Sequence, residues 1–201
     1  MDSLRSPDVN VGSWLSYRAA ERPEHPAILV EPTGERLSYR ELNALTNRVA
    51  CSLERHGVGP GERVAMALRS EPLTLAIYFA AAKLGAICVP LNTRLAPPEL
   101  GFQIRDCRPR LTVRARDVEL PADGGKELIS VDELRAELPA SAEEPTLAAG
   151  GERPQTIMYT SGTTGLPKGA VLPHRKTLYN TLNAESYLGL GPDDVVWSGS
   201  S

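Results

Sequence analysis

The chain has 201 residues, 41% of them apolar and 23% charged, and a formal net charge of −3. That length suits one sizeable domain or two small ones, with an ordinary globular balance of residues. The slight negative charge, with Lys and Arg scattered and no run of five like charges, excludes a basic field for nucleic acid or an anionic membrane.

Met1 to Ser13 lacks the charged-then-apolar layout of a signal peptide. A short amphipathic stretch around Trp14, Leu15 and Ala19 leads to a strand-like run, Ala27-Ile28-Leu29-Val30. Glu31-Pro32-Thr33-Gly34 signals a turn, and Arg36-Leu37 would return as the second arm of a hairpin. Ser38 followed by Glu41 fits a capping box, worth about 1 kcal/mol, ahead of a helix with Leu42, Leu45, Val49, Ala50 and Leu53 on one face. Gly57 stands where a left-handed C-cap is wanted. After the turn Val58-Gly59-Pro60-Gly61, the run Arg63 to Leu68 reads as a buried strand.

The pattern repeats. Pro72 suits a first helical position, with Leu73, Ile77, Ala80, Ala81 and Leu84 as the apolar face and Gly85 as the stop. Ile87-Cys88-Val89 is another strand, closed by Pro90. Pro97-Pro98-Glu99 opens a third helix through Leu100 and Ile104, and Leu111-Thr112-Val113 is a weaker strand. The alternation predicts an α/β fold with a mostly parallel sheet and right-handed crossovers. The apolar-rich run from Leu73 to Leu91 is broken by Lys83, Gly85 and Pro90, so no membrane span is expected.

From Pro139 to Pro154 Ala, Glu, Pro and Gly dominate without periodicity, which predicts an internal linker over residues 139–155. Cys51, Cys88 and Cys107 have neither disulfide nor zinc spacing and read as buried free thiols in a reducing cytoplasm. His25, His56 and His174 lack metal spacing and a Ser or Cys partner for a triad, so surface or capping roles and no metal site are expected. Asp193-Asp194 reads as a solvated turn before a strand, and the aromatic residues form no stacking platform for single strands.

The chemistry lies in Thr156-Ile157-Met158-Tyr159-Thr160-Ser161-Gly162-Thr163-Thr164-Gly165-Leu166-Pro167-Lys168-Gly169-Ala170-Val171-Leu172. An apolar run enters this segment and another leaves it. Between them, glycines let backbone N–H groups approach an anion, hydroxyls add donors for phosphate oxygens, and Lys168 brings a mobile positive charge. Hydrogen bonds to charged groups contribute roughly 1.5–3 kcal/mol each, so such a loop can hold a polyphosphate. It is not a Walker loop, because Pro167 and Gly169 flank the lysine where that pattern needs Gly and Ser or Thr. Pro167 also argues against a helix starting inside the loop.

The run Tyr159 to Gly169 resembles the signature loop of the adenylate-forming superfamily of acyl-CoA synthetases, peptide-synthetase adenylation domains and luciferases. Leu37 to Asn43, Gly57 to Val64, Lys83-Leu84-Gly85-Ala86 and Val89-Pro90-Leu91-Asn92 are similar to other stretches of that family. The likeness runs from about Trp14 to about Val196. Asn92, Arg94-Leu95, Glu99-Leu100, Thr163-Thr164 and Leu172-Pro173-His174-Arg175 with Asn180 and Asn183 look more like fatty or aromatic acyl-CoA ligases than peptide-synthetase domains.

The resemblance implies ATP, Mg2+ and coenzyme A as cofactors and a fatty or aromatic carboxylic acid as substrate. A carboxylate attacks the α-phosphorus of ATP, and coenzyme A then displaces AMP to give a thioester. Thr160, Ser161, Gly162, Thr163, Thr164 and Gly165 would cradle the β- and γ-phosphates, and Lys168 would be catalytic, neutralising charge on the leaving pyrophosphate. By the same resemblance residues 12–201 form the first part of the large N-terminal domain. A Tyr-Gly-x-Thr-Glu segment, a ribose-binding Asp and a small C-terminal domain with its lysine are missing, so the chain is expected to be inactive alone. Its tail, Trp197-Ser198-Gly199-Ser200-Ser201, reads as a broken, truncated or misplaced reading frame. Two rival expectations are a non-catalytic remnant that binds nucleotide at most, and an adenylation domain that loads a carrier protein. The pattern carries no signal for an oligomer.

Overall fold

The computed structural model describes residues 5–31, 33–121, 125–161, 166–191 and 193–197. Helix α1 (Gly12–Glu21) precedes β1 (Pro26–Val30) and β2 (Glu35–Ser38), which pair antiparallel as the expected hairpin. Ser38 caps α2 (Tyr39–Arg55) with the full box: Glu41 N–H donates to Ser38 Oγ at 3.2 Å, and Ser38 N–H donates to Glu41 Oε2 at 2.7 Å. Two donors that the helix start would leave orphaned are satisfied reciprocally.

Strand β3 (Arg63–Ala67), helix α3 (Pro72–Leu84), strand β4 (Ile87–Pro90), helix α4 (Pro97–Cys107) and strand β5 (Leu111–Arg114) continue the expected alternation. Gly85, at φ 68°, ends α3 in the left-handed conformation that glycine tolerates. Three elements follow that the sequence reading did not contain. They are β6 (Leu128–Ser130), α5 (Val131–Glu137) and, after the hairpin of β7 (Pro154–Thr160) and β8 (Lys168–Pro173), helix α6 (His174–Leu188).

The large sheet has the order β6-β5-β3-β4-β7-β8, parallel throughout except for the antiparallel β7–β8 pair. The chain moves one way from β3 to β4 and the other way from β4 to β5, so right-handed crossovers put α3 and α4 on opposite faces. Strand alternation then sorts the core. Val64, Met66, Cys88, Leu111 and Val113 pack with Leu42, Leu53, Leu73 and Ile77 of α2 and α3, while Ala65, Ala67 and Val89 pack with Leu100 and Ile104 of α4. Among the described residues no helix is long and apolar enough to cross a membrane. Cys51, Cys88 and Cys107 are free thiols, and only Cys51 is not fully buried.

Residues 141–150 form no helix or strand, but the segment is fastened along its length. Arg48 Nε donates to the Pro139 carbonyl at 2.6 Å, and the Ala148 N–H donates to the Lys83 carbonyl at 2.9 Å. Between them Lys83, 0% exposed, donates from Nζ to Asn43 Oδ1 at 2.7 Å, Asn47 Oδ1 at 2.8 Å and Glu144 Oε1 at 3.1 Å. Burial holds the Lys83 pKa below its ordinary value, and Glu144 works in the opposite direction.

The strand expected after the Asp193-Asp194 turn is a correction. Residues 193–197 form no strand, Val195 is 88% exposed, and no other strand among the described residues pairs with them. A strand needs a neighbour for its backbone groups. The turn does form, with Asp194 N–H donating to the Gly191 carbonyl at 3.3 Å.

Candidate functional site

The glycine-, serine- and threonine-rich segment joins β7 to β8. Thr160 is the last residue of β7, Lys168 is the first of β8, and the two are paired directly across the hairpin. Paired residues share one face of the ladder with Cβ atoms about 5 Å apart, which places the Thr160 hydroxyl and the Lys168 stem side by side. Both are exposed, as is Ser161. The Lys168 side chain has no hydrogen-bond or ion-pair partner among the described residues. Gly162, Thr163, Thr164 and Gly165 lie outside the described residues.

Because β7 runs parallel to β4, the mouth of the hairpin opens at the carboxyl ends of the parallel strands. Open α/β sheets bind ligands at that edge. Strand β7 leads into the loop and strand β8 leads out of it.

The opposite face of the hairpin is anchored on α4. Tyr159 Oη donates to Asp106 Oδ2 at 2.6 Å and lies 3.1 Å from the Gln103 carbonyl. Burial, reinforced by the Asp106 carboxylate, pushes the phenol pKa up, so the proton stays in that bond. Gly169 is needed opposite, because a Cβ there would lie 2.9 Å from Ile157 Cγ2 and 3.2 Å from Tyr159 Cζ. At the other end of β7, buried Gln155 links three elements. Its Nε2 donates to Tyr78 Oη of α3 at 2.5 Å, and its Oε1 accepts from Thr177 Oγ1 of α6 at 2.6 Å.

The histidines scatter, and among the described residues no group of three His, Cys, Asp or Glu could hold a metal. His56 is the C-cap of α2, with its ring nitrogens 2.7 Å from Glu127 Oε1 and 2.7 Å from Glu137 Oε1. His25 is partly exposed, with Nε2 3.8 Å from Asp193 Oδ1. His174 corrects the surface expectation: it is 0% exposed at the first position of α6, where its Nδ1 accepts from the Val11 N–H at 3.1 Å. Its Nε2 has no partner among the described residues.

Burial pushes the His174 pKa down to about 4, so the ring is neutral at pH 7. The unfolded chain takes up that proton near pH 6.5 and the folded one does not until near pH 4. Roughly 3 kcal/mol of stability present above pH 6.5 is therefore lost as the pH falls to 4. His56 runs the other way: its two carboxylate partners raise its pKa against the effect of burial, and its contribution fades as pH rises through that value. Urea midpoints measured from pH 7 to 4.5 should fall in the wild type and fall less in His174→Asn. An equal fall in both would remove His174 as the cause.

Elsewhere, a cleft of about 540 Å³ between α1 and α2 is lined by Ser16, Arg40, Asn43, Asn47 and Glu144, among others, with no residue from β7 or β8. It lies away from the hairpin.

A family model described as AMP-binding enzyme matches residues 15–201. The long-chain-fatty-acid–CoA ligase FadD13 of Mycobacterium tuberculosis is 37% identical over 176 residues, covering 82% of this chain and 35% of that protein. A feruloyl-CoA synthase from an Amycolatopsis species is 36% identical over 188 residues, covering 92% of this chain and 37% of the relative. The crystal structure of the inhibitor-bound N-terminal domain of FACL13 from M. tuberculosis superimposes with a TM-score of 0.75 at 36% identity, covering 82% of this chain and 44% of that one. The chain thus spans little more than a third of the length of these curated relatives.

Proposed function

The chain belongs to the family of AMP-binding enzymes, and we propose that it is the ATP-phosphate-binding part of an acyl-CoA synthetase. The observation that carries this reading is the exposed Lys168, whose side chain has no partner among the described residues, facing Thr160 at the mouth of the hairpin, beside the run of glycine, serine and threonine.

The reaction forms an acyl–phosphate bond as a substrate carboxylate attacks the α-phosphorus of ATP, and breaks the bond to pyrophosphate. A thiol, that of coenzyme A, then displaces AMP and leaves a thioester. Thr160 and Ser161, with Gly162, Thr163, Thr164 and Gly165, take the β- and γ-phosphates through hydroxyl and backbone donors. Lys168 takes the charge that builds on the leaving pyrophosphate, where a preorganised cation acts on the transition state more than on the ground state. Mg2+ carried by the triphosphate would supply further charge neutralisation beside Lys168. The acid is fatty or aromatic, in keeping with the names of the relatives. A reducing cytoplasm suits the three free thiols.

The test has two parts. Calorimetric titration of this chain with Mg-ATP and with pyrophosphate should give saturable, mutually competitive binding. Acid-dependent ATP–pyrophosphate exchange should be absent with the chain alone. It should appear once a polypeptide supplying the remaining length of a relative such as FadD13 is added. No competitive binding would overturn the reading. Transfer to a phosphopantetheinyl carrier but not to free coenzyme A would reassign the thiol.

A further inference from the structure

The phosphate-loop hairpin forms one edge of the sheet that carries it. Strand β7 pairs with β4 at Cys88↔Thr156, β4 ends at Pro90, and β8 is the outer edge strand. Strand β4 follows β7 to about the level of Met158, and beyond that the hairpin projects some two residues, about 7 Å, with no strand among the described residues beside it but its own partner. Its direction is therefore set at its base, by whatever grips Pro154 and Pro173, and by Tyr159.

That grip comes from the segment Val9 to Gly12. Asn10 is 7% exposed, and its Nδ2 donates to the Ala82 carbonyl at 2.8 Å and to the Ala148 carbonyl at 2.9 Å. Its Oδ1 accepts from the Gly12 N–H at 2.7 Å, so every polar bond of the amide group holds a different piece of backbone. The Val9 carbonyl accepts from the Gly151 N–H at 3.1 Å, and a Cβ on Gly150 would lie 2.1 Å from that oxygen. The Val11 N–H reaches buried His174 Nδ1, the residue that follows β8. The ring closes as the His174 N–H donates to the Arg153 carbonyl at 3.2 Å and the Arg175 N–H to the Gly151 carbonyl at 2.9 Å. The entry to β7, the exit of β8 and the end of α3 thus meet on four residues that precede the family-matched region at residue 15.

We propose that Val9–Gly12 is a staple that aims the phosphate loop, with Asn10 and His174 as positioning residues acting through the base of the β7–β8 hairpin. The proposal rests on the loop being a phosphate site, but its first readout does not. Leucine at 174 fills the buried space and removes the acceptor, whereas asparagine puts Oδ1 where Nδ1 stood. Val11→Pro deletes the donor from the other side at a position whose φ of −57° proline already favours.

Amide hydrogen exchange of the chain, followed by mass spectrometry, should show the 155–160 and 168–173 peptides of His174→Leu exchanging about tenfold faster, the loss expected for one buried hydrogen bond. Peptides over β3 and β5 should be unchanged, and His174→Asn should restore most of the protection. Mg-ATP affinity should fall in the leucine variant and recover with asparagine. If His174→Leu does not fold, Val11→Pro carries the same test. Unchanged hairpin exchange, or equal acceleration over β3 and β5, overturns the staple. Accelerated hairpin exchange in a chain that never binds Mg-ATP leaves the staple standing and removes the phosphate reading instead.

Discussion

Lys168→Ala is expected to weaken Mg-ATP and pyrophosphate binding by this chain about 10- to 100-fold, the loss of one or two charge-assisted contacts. In the complemented enzyme it is expected to slow acid-dependent pyrophosphate exchange by about 10²–10³, the usual cost of removing one transition-state donor. Stability should not move. The side chain is exposed, makes no bond among the described residues and sits on an edge strand, so truncation exposes no core and orphans no partner. Lys168→Arg should recover binding only in part, because the guanidinium is a planar fork and the lysine a mobile point charge. Calorimetry reads the affinity, urea unfolding reads the stability, and single-turnover rates separate binding from chemistry. Unchanged pyrophosphate affinity in a folded Lys168→Ala chain would take the lysine out of the site.

The fold adds the pairing of Thr160 with Lys168, but the role proposed for the lysine is read from the loop alone, from order and composition over about ten residues. The same holds for α2 and α3, where a capping box, a proline at the first turn and a closing glycine bracket an apolar stripe. Helix α5 escaped the sequence reading: Ser130 and Glu133 spell the same box as Ser38 and Glu41, but its seven residues show too short a stripe to stand out. Helix α6 buries only His174 and Leu178, so it offers almost no periodicity. What the sequence hides is the base of the hairpin. Its bonds run between backbone atoms and two polar side chains, Asn10 and His174, from segments over 160 residues apart. No pattern along the chain reports such a contact. The irregular stretch before β7 shows the same limit, because its fastening depends on carbonyls and on one lysine that reads as an ordinary helix end.

That lysine gives the largest expected change in stability. Lys83 is a fully buried ammonium whose only anionic partner among the described residues is Glu144, a side chain that is 38% exposed and also accepts from Ser16 Oγ. Breaking a buried pair from one side leaves an uncompensated charge, whereas replacing the charge by an apolar chain of similar length does not. Glu144→Ala should therefore destabilise the fold by about 3 kcal/mol, the low end for a broken buried pair, because Asn43 and Asn47 still accept from the ammonium. Lys83→Met should cost less, since Glu144 can turn to water. Adding Glu144→Ala to Lys83→Met should cost little more, giving a coupling energy above about 1 kcal/mol in a double-mutant cycle. The pH dependence has a fixed sign. Burial already lowers the folded pKa of Lys83, and losing Glu144 lowers it further. Between that value and 10.5 the unfolded chain binds the extra proton, so raising the pH favours the folded state. Glu144→Ala should accordingly regain part of its lost stability between pH 7 and 9.5, measured against the wild type by urea midpoints. Additive single effects and a deficit that is flat with pH would mean that Glu144 only packs against the strap, and that Lys83 is satisfied by its two asparagines alone.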